Sequence, residues 1–247
     1  NEGDGPRHYA RLDYSRTASN GYIDRQENRA GNLAFSLLSD FNEQLSHTLA
    51  IEYLEEQEDS PYWGAPVLQP QAGTLHIDKH QRFANYNVED GRYEQRSRWL
   101  RSITDYRFND DTQLRNTFYH YNGQRDYRNL EAYRYSRDNL SVVRSGAYRQ
   151  RHEQQVNGDR LELTHTGELF GLASDWAYGF DYNRNQQTNY PLSIGGTFDS
   201  VTPGQFEPDH FLDIPGMNAP RRKGRSTWTD TSSAFVENRT RLSDRLA

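Results

Sequence analysis

Polar and apolar residues alternate one by one along much of this chain. His8, Ala10, Leu12 and Tyr14 fall on one side of an extended backbone, and Arg7, Arg11, Asp13 and Ser15 on the other. A period of two marks a β-strand with one face shielded from water. Leu33, Phe35 and Leu37 alternate in the same way with Asn32, Ala34 and Ser36. After a turn at 39–44, Leu45, His47, Leu49, Ile51 and Tyr53 oppose Ser46, Thr48, Ala50 and Glu52. Later, Leu161, Leu163, His165 and Leu169 oppose Arg160, Glu162, Thr164, Thr166 and Glu168. Beyond a short turn at 170–173, Trp176, Tyr178, Phe180 and Tyr182 oppose Asp175, Ala177, Gly179 and Asp181. The polar stretch 15–29 reads as a loop, and a last strand is expected over about 227–242.

The longest signal is 93–135, where two runs rich in Tyr and Arg flank Asn109-Asp110-Asp111-Thr112. Asn and Asp favour tight turns because their side chains bond nearby backbone. The pattern predicts a hairpin with arms far longer than the usual five or six residues. Its second arm reaches Tyr135, turns at Arg137-Asp138-Asn139 and returns through 140–170. Near Trp99 and Tyr119 both faces carry aromatics, which leaves the face assignment open. Segments 55–91 and 186–225 hold many Pro and Gly residues and read as long loops. Short turns near 40, 110, 171 and 243 thus alternate with long connections. That is the signature of an antiparallel up-and-down transmembrane β-barrel. About eight strands are expected, all-β and without a second domain.

Composition sharpens the picture. Only 33% of the 247 residues are hydrophobic and the mean hydropathy is -1.09. No stretch approaches the roughly 20 apolar residues of a membrane-spanning helix. Barrel strands, apolar on one face only, remain allowed. The 17 Tyr, 11 Phe and 4 Trp argue against disorder. A net charge of -6 makes nucleic acid a poor partner. With no Cys there is no disulfide scaffold or thiol chemistry. The start at Asn1 and the stop soon after a turn suggest part of a longer chain.

The polar strand faces carry Arg11, Asp13, Glu52, Arg160, Glu162, Asp175 and Asp181. Inside a dry sandwich each would need a partner or cost several kcal/mol; lining a wet lumen they cost little. No nucleophile elbow, zinc-protease motif or phosphate loop occurs, so no enzyme is expected. His76 and His80 have the spacing of a metal pair on a helix, but they lie in a loop and no metal site is expected. Tyr62, Trp63, Tyr190, Phe198 and Phe206 belong to the two long segments. They either contact a ligand or pack the loops against one another. Arg221, Arg222 and Arg225 either pair with an anionic ligand or form a solvated loop base.

WLRSITDYRF (99–108), the Asn/Asp turn and QLRNTFYHYNGQRDYRN (113–129) together resemble the barrel of TonB-dependent siderophore receptors. SPYWGAP (60–66), LFGLASDWAYGFDYNRN (169–185) and AFVENRTRLSDRLA (234–247) resemble the same family in the same order. The resemblance implies about eight strands of a 22-stranded outer-membrane barrel in a Gram-negative bacterium. It implies a ferric siderophore as cargo rather than a cofactor held by side chains. It also implies contact with outer-membrane lipid, and energy from the TonB complex through an N-terminal plug that these residues do not include. Tyr62, Trp63, Tyr190, Phe198, Phe206, Arg221 and Arg222 are the expected ligand contacts from their position alone. The alternatives are a soluble extracellular β-sandwich that binds a ligand or glycan, and a secreted β-rich enzyme acting on polysaccharide.

Overall fold

A computed structural model describes residues 5–71 and 73–243. Three strands open the chain: β1 (Arg7–Ser19), β2 (Glu27–Asp40) and β3 (Leu45–Asp59). A small hairpin, β4 (Val67–Gln71) and β5 (Thr74–Ile77), lies in the following connection. Then come β6 (Arg92–Arg107), β7 (Thr112–Tyr135), β8 (Val142–Leu169), β9 (Leu172–Tyr190), β10 (Ser193–Val201) and β11 (Arg225–Thr240). The main sheet has the order β1-β2-β3-β6-β7-β8-β9-β11, so its strands follow chain order, with β4, β5 and β10 off this path. All these pairings are antiparallel. Beyond the last pair of β9, Arg151 with Tyr190, β10 carries on along the same edge of β8 from Ser193 opposite Tyr148.

The turns at 41–44, 108–111 and 170–171 share one end of the sheet, as the alternation of short and long connections predicts. Asn42 Oδ1 accepts from the backbone N–H of Gln44 and Leu45, both at 2.9 Å. Asn109 does the same for Asp111 at 3.0 Å. At the third turn Phe170 (φ 54) and Gly171 (φ 80) both adopt left-handed backbone. This suits a two-residue hairpin, whose twist matches that of its strands. β11 ends at Thr240, and the end of the turn expected at 243–245 lies outside the described residues.

Three expected loops are shorter than the polar runs suggested. Residues 15–19 and 27–29 belong to β1 and β2, 55–59 to β3, and 186–190 to β9. The reason is physical. Past the apolar stretch both faces of these strands are polar, so the period of two vanishes while the backbone ladder continues. β7 and β8, at 24 and 28 residues, extend farthest.

Along the path from β1 to β11 the register carries the two faces without a slip; the β10–β8 pairing, off this path, shifts between Ile194 and Thr197 and again before Asp199. Leu33 and Tyr14 are partners, as are Leu37 and Leu49, Leu163 and Tyr178, and Tyr178 and Val236. They form one apolar face, and it is bare: Leu12 and Val236 are each 67% exposed and Phe180 50%. The other face holds Glu52, Trp99, Tyr119, Glu162 and Asp181, which resolves the faces near Trp99 and Tyr119. Its charges answer one another. Arg115 Nε donates to Asp105 at 2.7 Å, Arg160 Nη2 to Glu162 at 3.0 Å, and Arg101 bonds Glu52.

Glycines on the polar face make room for rings. A Cβ on Gly158 would sit 2.1 Å from Tyr119 Cζ, and one on Gly179 would sit 2.1 Å from Phe235 Cε1. Alanine at either position must displace a ring from its neighbour's backbone. We expect Gly158→Ala and Gly179→Ala each to lower stability by about 1–3 kcal/mol. Gly195→Ala, where nothing lies within 4 Å, should be nearly neutral. Urea unfolding of the intact protein measures all three; equal midpoints would refute the ring packing.

Candidate functional site

The buried core lies at the end of the sheet opposite the short turns. Val88, Leu130, Ala147, Phe211, Ile214 and Met217 form one cluster, and Tyr86, Tyr135 and Val142 another. Both join the long connections to the raised β7–β8 hairpin. Asn87 fixes the first connection. Its Oδ1 accepts from the Leu130 and Val88 N–H groups, both at 2.9 Å, and its Nδ2 donates to Pro61 O at 2.9 Å and Asn129 Oδ1 at 3.2 Å. Asn85 Nδ2 donates to Ser60 O at 2.6 Å, and Arg25 donates to the Asn87 carbonyl at 3.0 Å. Burial lowers the Arg25 pKa, against the opposing pull of Glu89.

Arg144 fixes the second connection. It is fully buried, and it pairs with Asp199 and, at 3.0 Å, with Asp209. The guanidinium lies 5.3 Å from the Phe198 ring centre and 5.6 Å from that of Phe206. Phe206 in turn stacks on Tyr86 at 5.2 Å. A desolvated charge is tolerated when its donors are occupied, as these are.

Below these loops the polar face opens into a hollow of about 380 Å³, lined by Gln95, Tyr121, Arg125, His152, Gln154 and Gln187 among others. Tyr127 stands edge-on to the His152 ring at 6.1 Å, and its ring lies 5.6 Å from the Arg125 guanidinium. An Arg125 Nη is within hydrogen-bond distance of His152 Nδ1. Tyr93 donates to Gln95 at 2.7 Å, and Gln154 to Asn185 at 3.2 Å. Burial holds the His152 pKa below its ordinary value, and Arg125 lowers it further. The wall thus offers amides, a neutral imidazole, one guanidinium and aromatic faces. These suit non-covalent capture of an oxygen-rich organic anion. Among the described residues no group of His, Asp and Glu could hold a metal ion.

The loop residues singled out from the sequence take several places. Tyr62 is half-buried and Trp63 is 48% exposed. Tyr190 lies on β9 rather than in a loop, its hydroxyl 3.3 Å from Glu153 Oε2. Phe198 on β10 and Phe206 come together around Arg144. Arg221 Nη1 donates to Asp126 Oδ2 at 2.6 Å, and Arg151 reaches the same oxygen at 2.8 Å. Arg222 is exposed. The structure brings Phe198 and Phe206 together around Arg144, and Arg221 and Tyr190 around Arg151. The wall residues Gln95, Arg125 and His152 were not picked out from the sequence. Carrying the parity of β6 through the turn at Asn109 puts Gln95 and Arg125 on one face, but does not mark that face as a hollow.

No protein-family model matches the chain, and no curated protein matches it. Solved structures do. The Ferric-Catecholate import receptor Fiu from K12 E. coli, in its closed form, is 19% identical with a TM-score of 0.77, over 96% of this chain and 35% of that one. The ferripyoverdine receptor of the outer membrane of Pseudomonas aeruginosa, bound to ferripyoverdine, is 16% identical with a TM-score of 0.74, over 97% and 31%. BauA, the Ferric preacinetobactin receptor from Acinetobacter baumannii, is 10% identical with a TM-score of 0.76, over 94% and 34%. The chain therefore has the fold of part of their barrel wall, and it spans about a third of their length.

The wall makes a testable electrostatic statement. His152 should titrate below 6.5, the ordinary imidazole value. Arg125→Gln should move that titration upward yet leave it below 6.5, because burial is the larger cause. NMR of the labelled imidazole in the intact protein reads both. No movement on removing Arg125 would show that the two groups do not interact.

Proposed function

We propose that this chain is barrel wall from an outer-membrane, TonB-dependent receptor of a Gram-negative bacterium that binds and imports a ferric siderophore. The observation that carries the reading is the bare apolar face running across eight paired strands, with an ion-paired polar face behind it. In water such a face would be an aggregation surface; against lipid it is the expected outer wall. The likeness in fold to three ferric-siderophore receptors supports the same reading. A soluble sandwich is disfavoured, since it would cover its apolar face and none of the described residues covers this one.

In this reading the polar face lines the lumen, and the raised β7–β8 hairpin stands outside the cell with its loops. Binding is non-covalent. Arg125, Gln95, Gln154 and Tyr121 hold the ferric chelate from the wall, and Trp63 and Arg222 meet it from the loops. Phe198, Phe206, Tyr190 and Arg221 keep the loops in place for it. The TonB complex supplies energy to the parent receptor through its plug.

Two measurements on the intact receptor test this. Tyr178→Arg, on the apolar face, should cost about 2–4 kcal/mol in lipid vesicles, and Asp181→Arg on the polar face clearly less. Equal losses would remove the lipid-facing assignment. Trp63→Ala and Arg125→Ala should each weaken binding of the ferric chelate by about 1 kcal/mol or more, with barrel stability unchanged. Unaltered affinity in the double variant would place recognition elsewhere in the receptor.

A further inference from the structure

Just beyond the apolar band, its own face carries a notch of about 430 Å³ between β1 and β3. The register explains it. On this face Leu33 lies between Tyr14 and Tyr53, Gly31 between Arg16 and Glu55, and Arg29 between Ala18 and Gln57. A Cβ at Gly31 would meet nothing within 4 Å, so the missing side chain leaves a hollow walled by its neighbours. Toward the short turns the notch opens directly onto Leu33 and the rest of the apolar band. Gly31 is two residues above Leu33, a rise of roughly 7 Å, with the tyrosine pair at the boundary.

The rim has one uncommitted charge. Glu55 is held by Arg96 at 2.9 Å and by the Tyr53 hydroxyl at 3.1 Å. Asp59 and Glu27 are both held by Arg29, at 2.8 and 3.4 Å. Arg16 is exposed and, among the described residues, has no carboxylate within ion-pair distance. An apolar floor continuous with a lipid-facing band, capped by a lone guanidinium, matches one kind of occupant: an amphiphile with an anionic head and hydrocarbon tails.

We propose that the Gly31 notch seats the phosphate headgroup of a net-anionic membrane lipid. Arg16 pairs with the phosphate, and the acyl chains descend over Leu33 between Tyr14 and Tyr53. The proposal rests on the lipid-facing reading above. A free phosphate would use Arg16 but not the apolar floor, and so would hold poorly.

The test uses the intact receptor, first folded into phosphatidylcholine vesicles and then extracted in detergent. Native mass spectrometry follows retention of phosphatidic acid, with phosphatidylcholine and inorganic phosphate as separate arms. Gly31→Leu fills the notch and Arg16→Gln removes the charge; neither residue packs in a core. Each should reduce retained phosphatidic acid roughly fivefold, the effect of one Arg at a membrane surface. Phosphatidylcholine retention should stay unchanged, and inorganic phosphate should not compete. If both variants retain phosphatidic acid like the parent, or phosphate displaces it, the notch assignment is overturned while the barrel reading stands. If the receptor does not enter vesicles at all, both readings fall.

Discussion

A sheet with a period of two has no freedom to err by one residue. One slip anywhere would carry an entire strand's apolar set to the opposite face. Here the pairing runs from β1 to β11 with the parity kept at every step, so Leu12 at one edge and Val236 at the other share a face. Everything else hangs on that coherence. It places Glu52, Glu162 and Asp181 on one face, lets Arg115 find Asp105, and brings Gln95, Arg125 and His152 into one hollow although they come from three strands. The short Asn and Gly turns hold the count, because each permits very few ways of reversing the chain.

How much of this was legible depended on where the apolar band lay. Where a strand crosses the band, as at Leu33–Leu37 or Trp176–Tyr182, alternation located it and its faces. Where the same strand runs on, as at 55–59 and 186–190, both sides are wet and the residues look like loop. The ladder there is maintained by neighbours distant in sequence, and propensity carries no trace of them. The central hairpin was legible because its arms begin at a turn signal and its register can be counted outward from Asn109. The hollow was not, since amides and arginines on an extended strand look alike whether they line a site or face bulk water.

The loop end follows a different logic. Its apolar residues are few, and two polar side chains organise them. Asn87 takes the place of a missing strand, meeting the Leu130 N–H as a backbone carbonyl would. Arg144 gathers Asp199, Asp209, Phe198 and Phe206 about one buried charge. Neither residue is marked in the sequence, because Asn and Arg are mostly exposed in folded proteins. Their roles exist only once the β7–β8 hairpin has risen far enough to be gripped.

The glycine hollows on the polar face have a geometric consequence. Tyr119 and Phe235 lie across the backbone of the neighbouring strand instead of standing upright from the sheet. A ring laid flat adds only its thickness to the wall, whereas an upright one projects by its full length. At Tyr119 and Phe235 the wall therefore carries a ring without narrowing the space beside it. At these two places a bulky solute meets the face of a ring, close to the sheet, rather than a ring's projecting tip.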